Sequence, residues 1–151
     1  MQVIKPTLCA MAVVSVTLRR PSCLKYKIMA KILLIDDSTD LLELFSMLLK
    51  KKGHKVKCVS SGDGLQDIIS SFEPDLVLLD VLLKEENGRD LCKKIKEWSK
   101  TLPIILVSSD PSLLKGYDDC EADAVIEKPF YMQTVTTTVN KILNKAPILM
   151  H

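Results

Sequence analysis

Cysteine is sparse and badly placed for cross-linking. Cys9, Cys23, Cys58, Cys92 and Cys120 are odd in number, widely separated and form no C-x-x-C pair. That excludes a disulfide framework and predicts reduced thiols packed as small apolar groups, as in a cytoplasmic protein. Histidine occurs only at His54 and His151, with no ligand spacing to each other or to the cysteines, so no zinc site is expected. Glycine is scarce too, and neither G-x-G-x-x-G nor the phosphate-loop pattern occurs, which leaves a nucleotide-binding enzyme without its motif. No apolar run reaches the roughly 20 residues that a membrane span needs.

What is there fits one folded domain. In a chain of 151 residues, no separate DNA-binding or catalytic module is expected beside one core. Hydrophobic residues at 47% and charged residues at 26% are ordinary for a globular domain and argue against disorder.

The formal charge of +2 is the sum of two unlike parts. Residues 1–28 hold Lys5, Arg19, Arg20, Lys25 and Lys27 and no acid. Of the 21 basic residues, 16 therefore remain in 29–151 against 19 acidic ones, a net of −3. The positive excess lies outside the expected core, so direct nucleic-acid binding is not expected.

Within the first 28 residues, Leu8 to Leu18 is apolar and follows Lys5, as in a signal peptide. Arg19 and Arg20 occupy the place of the small-residue cleavage site, so neither a signal peptide nor an anchor is expected. Met29 opens directly on a strand pattern. The expected organisation is an N-terminal extension over 1–28, upstream of a natural start at Met29, then a domain over 29–146 and a short tail over 147–151.

Four short runs are continuously apolar: Ile32 to Ile35, Leu76 to Leu79, Ile104 to Val107 and Ala124 to Ile126. Lack of alternation means burial on both faces, as in a parallel sheet covered by helices. Lys55 to Val59 is a more polar fifth strand, suited to an edge. Between the strands the period is helical, most clearly at Leu41, Leu44, Phe45, Leu48 and Leu49, with Ser38 as cap and Lys50 to Gly53 as stop. Further helices are expected over Leu65 to Phe72, through Leu91, Ile95 and Trp98 with their lysines outward, over Ser112 to Tyr117, and from about Phe130 through Val135, Val139 and Ile142. Ser61-Gly-Asp-Gly64 reads as the turn that opens the second helix. The alternation predicts an α/β, doubly wound, five-stranded parallel sheet with helices on both faces.

Such sheets bind ligands at the carboxyl ends of their strands. The polar residues fall there: Asp36 and Asp37 after the first run, Asp80 after Leu79, Ser108 and Ser109 after Val107, and Lys128-Pro129 after the last. Three converging carboxylates repel unless a hard cation neutralises them, and oxygen ligands favour Mg2+. A hydroxyl and an ammonium beside that ion suit a phosphoryl group.

In the order and spacing of these residues, over about Lys31 to Asn144, the chain resembles the receiver domains of two-component response regulators. Asn87-Gly88 also stands where the family's third helix begins. The resemblance implies a strand order of 2-1-3-4-5 and phosphotransfer from a histidine kinase or histidine phosphotransfer protein onto Asp80. It implies Mg2+ held by Asp37, Asp80 and the main-chain carbonyl of Leu82, with Asp36 helping through water. Ser108 and Lys128 would contact phosphoryl oxygens, and Pro129 would follow a cis peptide. The protein would act as a stand-alone cytoplasmic receiver, signalling to a target protein or relaying the group, with no membrane partner and no catalysis beyond its own phosphorylation and dephosphorylation.

The chain also departs from the family. Val125 stands where an aromatic ring is common, Lys84 where proline is common, and the stretch from Ser108 to Lys128 is short. Ser109, Asp110 and Leu82 occupy tuning positions, and an apolar Leu82 is expected to prolong the acyl phosphate. Two other functions compete with this reading. Phosphatases of the haloacid-dehalogenase type need an acid two residues after the nucleophile, which Asp80-Val-Leu and Asp36-Asp-Ser lack. An interaction module of the same fold without phosphorylation is the remaining alternative.

Overall fold

The computed structural model describes residues 29–145. The extension over 1–28, the tail over 147–151, Cys9, Cys23 and His151 lie outside the described residues. Five strands, β1 (Lys31–Ile35), β2 (Lys55–Val59), β3 (Leu76–Asp80), β4 (Ile104–Ser108) and β5 (Ala124–Glu127), form one parallel sheet in the order β2-β1-β3-β4-β5. The helices are α1 (Thr39–Lys51), α2 (Leu65–Phe72), α3 (Gly88–Trp98), α4 (Pro111–Leu114) and α5 (Met132–Leu143), with a 3-10 turn over Tyr117–Cys120.

Each central strand feeds two cores, because successive side chains point to opposite faces. Ile32, Leu34, Leu76, Leu78, Ile105 and Val107 meet α1 and α5 through Phe45, Leu49, Val135 and Val139. Leu33, Ile35, Val77, Leu79, Ile104 and Leu106 meet the other layer through Leu65, Leu91, Ile95 and Cys120. At roughly 1.5–3 kcal/mol per buried aliphatic side chain, these runs dominate the stabilisation. The edge strand β2 is only half covered, in keeping with its polar sequence.

The α1 cap is the expected one, with Ser38 Oγ accepting from the Leu41 N–H at 3.4 Å. The buried face is rotated from expectation: Leu42, Phe45, Ser46 and Leu49 are inside, whereas Leu44 is exposed. The pattern in that helix is apolar nearly all round, so spacing alone did not orient it. Three other expectations need correction. Lys96 on α3 does not point outward; it is buried, and its Nζ sits 2.9 Å from Asp123 Oδ2, which also accepts the Ile104 N–H. The helix expected over Ser112 to Tyr117 is broken at Lys115 and Gly116, where Arg89 donates to the carbonyls of Leu113, Lys115 and Gly116. Cys58 is exposed on the edge strand rather than packed.

Cys92 and Cys120 are buried as expected, the Cys92 thiol donating to the Cys120 carbonyl at 3.1 Å. Burial, and then the neighbouring Cys120, push the Cys92 thiol up to about 12. Alkylation requires the thiolate and access. Iodoacetamide at pH 8 is therefore expected to modify Cys58 while sparing Cys92 and Cys120, until guanidinium unfolds the chain. Peptide mapping by mass spectrometry checks this, and native labelling of Cys92 would contradict the packing. Among the described residues, no helix is long and apolar enough to cross a membrane.

Candidate functional site

The order of the strands reverses between β1 and β3, and the crevice at that switch point is where such sheets bind ligands. Asp36 and Asp37 follow β1 directly, Asp80 ends β3, Ser108 ends β4, and Lys128 follows β5. The parallel register therefore brings residues distant in sequence to one edge.

Carboxylate oxygens of Asp36, Asp37 and Asp80 lie within 4.8 Å of one another. The Lys128 ammonium reaches between two of them, 3.0 Å from Asp36 Oδ2 and 3.3 Å from Asp80 Oδ1. Asp36 and Asp80 are both buried, and Asp36 Oδ1 accepts the Ser38 N–H at 2.8 Å. Burial raises the pKa of Asp80 and the Asp36 charge adds to this. The Lys128 ammonium and the Leu82 N–H, which donates to the Asp80 carboxylate, pull it back. Three hard oxygen donors at this spacing fit a divalent cation, so Asp36, Asp37 and Asp80 are the residues able to hold one.

Ser108 is fully buried, and its Oγ accepts the Asp110 N–H at 3.1 Å. The register pairs Asp80 with Val107, which sets Ser108 one residue beyond the level of Asp80, and the Lys128 N–H donates to the Ser108 carbonyl at 2.8 Å. The remaining predicted positions lie around this centre. Asp110 caps α4, and the Ser112 hydroxyl and N–H hold its carboxyl below the usual carboxylate value. Ser109 is exposed, and Leu82 is 49% exposed and bridged to Asn87. Val125 is half-buried against the α3 layer. The Lys128–Pro129 peptide is cis.

Two features of the site were not foreseen. Gly88 is pressed on the end of β3: a Cβ there would overlap the Asp80 carbonyl oxygen and lie 2.8 Å from Val81 Cα. The Asn-Gly pair was the available signal. Glu86 leaves its own loop to accept the Gly62 N–H at 2.8 Å, and no local pattern announces that contact.

Comparison with known proteins agrees with this geometry. The model of the response regulator receiver domain matches residues 32–140. A putative response regulator from Chloroflexus aurantiacus is 29% identical with a TM-score of 0.73, over 78% of this chain and 100% of that one. The receiver domain of NtrX from Brucella abortus is 26% identical with a TM-score of 0.71, over 76% and 98%. CheY4 from Vibrio cholerae shares the fold at 23% identity and a TM-score of 0.70, over 76% and 99%. Against the longer NtrX chain from Brucella abortus, also 26% identical with a TM-score of 0.74, the match covers 79% of this chain but 28% of that one. Receiver domains are signalling modules rather than conventional enzymes; they bind Mg2+ at an acidic pocket and interact with histidine kinases or phosphotransfer proteins. With the matched model spanning more than half of its length, the chain belongs to the response regulator receiver domain family.

Proposed function

We propose that the chain accepts a phosphoryl group on Asp80 from a phosphohistidine of a histidine kinase or phosphotransfer protein. The observation that carries this is the Lys128 ammonium lodged between the carboxylates of Asp36 and Asp80, with Asp37 beside them. An Asp80 carboxylate oxygen attacks phosphorus, an O–P bond forms as the N–P bond breaks, and the leaving imidazole keeps the electron pair and takes up a proton. Phosphoryl transfer is chiefly positioning and charge neutralisation. Mg2+ held by Asp36, Asp37 and Asp80, with the Leu82 carbonyl, supplies much of that neutralisation when bound. Lys128 pairs with a phosphoryl oxygen, giving up its hold on the free carboxylate. Ser108 donates its hydroxyl to another, and in turning it releases the Asp110 N–H that leads into α4.

On this reading the functional unit is 29–146, in the cytoplasm, with 1–28 as an extension and 147–151 as a tail. Wild-type protein incubated with acetyl phosphate and Mg2+ is expected to gain about 80 Da, localised by peptide mapping to Asp80. Absence of the adduct with every small donor and with a phosphorylated phosphotransfer protein would favour the unphosphorylated interaction module. Stoichiometric return of the group to a phosphotransfer protein marks a relay, and its retention marks direct output to a target protein.

A further inference from the structure

Glu86 stands in the loop that carries Leu82, between Asp80 and the start of α3, and the chemistry proposed for Asp80 does not use it. Its half-buried side chain crosses to the turn between β2 and α2, where Oε1 accepts the Gly62 N–H at 2.8 Å. The approach is close: a Cβ on Gly62 would lie 2.9 Å from Glu86 Cδ and closer still to Oε1, so the Glu86 carboxylate would have to move off the Gly62 N–H. The two loops wall a cleft of about 440 Å³ whose lining includes Asp37, Ser60, Ser61, Leu83 and Glu86. Inside the loop, the Leu82–Asn87 bridge and the Gly88 N–H to the Val81 carbonyl tie the two ends together. Leu83 packs against the core beneath the loop, and the Glu86 bond is the side-chain hydrogen bond that ties the loop to the β2–α2 turn.

We propose that Glu86 is a positioning residue for the metal site. By clasping the β3–α3 loop to the β2–α2 turn, it holds the Leu82 main chain beside Asp80 and so raises the affinity for Mg2+. The proposal rests on the reading of Asp36, Asp37 and Asp80 as metal ligands. A loop already held in place loses less freedom when the ion binds. Residues that act behind metal ligands typically change affinity about 10–100-fold.

The test is calorimetric titration with Mg2+ together with hydrogen exchange of the metal-free protein, read over residues 81–87. Glu86→Ala is expected to weaken Mg2+ binding about 10-fold and to speed exchange in the loop. Glu86→Gln keeps an acceptor oxygen for the Gly62 N–H and should stay within about 3-fold of wild type, below that range. Gly62→Ala should behave as Glu86→Ala does, and the double variant no worse than either, because both remove one contact. The proposal is overturned if Glu86→Ala binds Mg2+ as wild type does. It is equally overturned if Glu86→Gln is as weak as Glu86→Ala, since charge rather than the clasp is then responsible. Wild-type protein that takes up no Mg2+ would overturn the metal reading itself, while the exchange measurement still reports whether the clasp exists.

Discussion

Asp80→Asn is expected to abolish the phosphoryl adduct and, without divalent metal, to raise the melting temperature at neutral pH. The first effect follows from losing the only atom proposed to bond phosphorus. The second follows from burial. In the fold the Asp80 pKa is raised above its ordinary 3.8, first by desolvation, so the folded protein holds that proton to higher pH than the unfolded chain does. Stability tied to this group is fully present below 3.8 and is lost as pH rises from there through the folded pKa. Asparagine has no such loss, and its amide oxygen can still accept from Lys128. The variant should therefore melt higher than wild type near pH 7, a gain in stability made at the expense of function. The gain should shrink as the pH approaches 3.8. Thermal unfolding followed by circular dichroism from pH 4 to 8 measures it. Equal stability of the two proteins at pH 7 would refute the buried-charge cost, and a surviving adduct would refute the acceptor.

Mg2+ should reverse the ranking. A ligand that binds only the folded state stabilises it by mass action, and wild type has one more carboxylate to offer than the variant. On the proposed function, Asp80 thus costs stability in the metal-free protein and repays it when an ion binds.

Much of this was legible in the sequence, because the signals were local. Ile32 to Ile35, Leu76 to Leu79 and Ile104 to Val107 are apolar without alternation, and a parallel sheet is the structure that buries both faces of such strands. Once the sheet is parallel, a polar residue just after each run must reach the same edge. The partnership of Asp36, Asp80 and Lys128 could therefore be anticipated across 92 residues. What escaped depends on pairs that no local period encodes. Lys96 looked like one of several outward lysines on α3, and only the position of Asp123 at the start of β5 makes it a buried partner. The break after α4 is held by Arg89, from a different helix. Cys58 follows the apolar rule for its residue type but sits on an edge strand that is only half covered.

Gly88→Ala is the substitution expected to damage the fold most. Gly88 begins α3, and its N–H donates to the Val81 carbonyl at 2.9 Å, so the helix starts directly on the backbone that follows Asp80. A methyl group at this point would overlap the Asp80 carbonyl oxygen and come within 2.9 Å of the Asp80 carbonyl carbon. Neither atom is the end of a flexible side chain, and Asp80 is the last residue of a fully buried strand. Relief must come from shifting α3, whose Leu91, Cys92 and Ile95 are packed in the core and whose Arg89 holds the segment after α4. Overpacking of this kind costs roughly 1–3 kcal/mol, and a clash with backbone belongs at the upper end. The melting temperature should fall by on the order of 10 °C. Residual folded protein should also take up the phosphoryl group more slowly, because the shift reaches the Leu82 N–H that contacts Asp80. Melting within about 2 °C of wild type, a change of well under 1 kcal/mol, would mean that α3 does not press on the acceptor strand. The link from Asp80 through Gly88 to Arg89 would then fail as well.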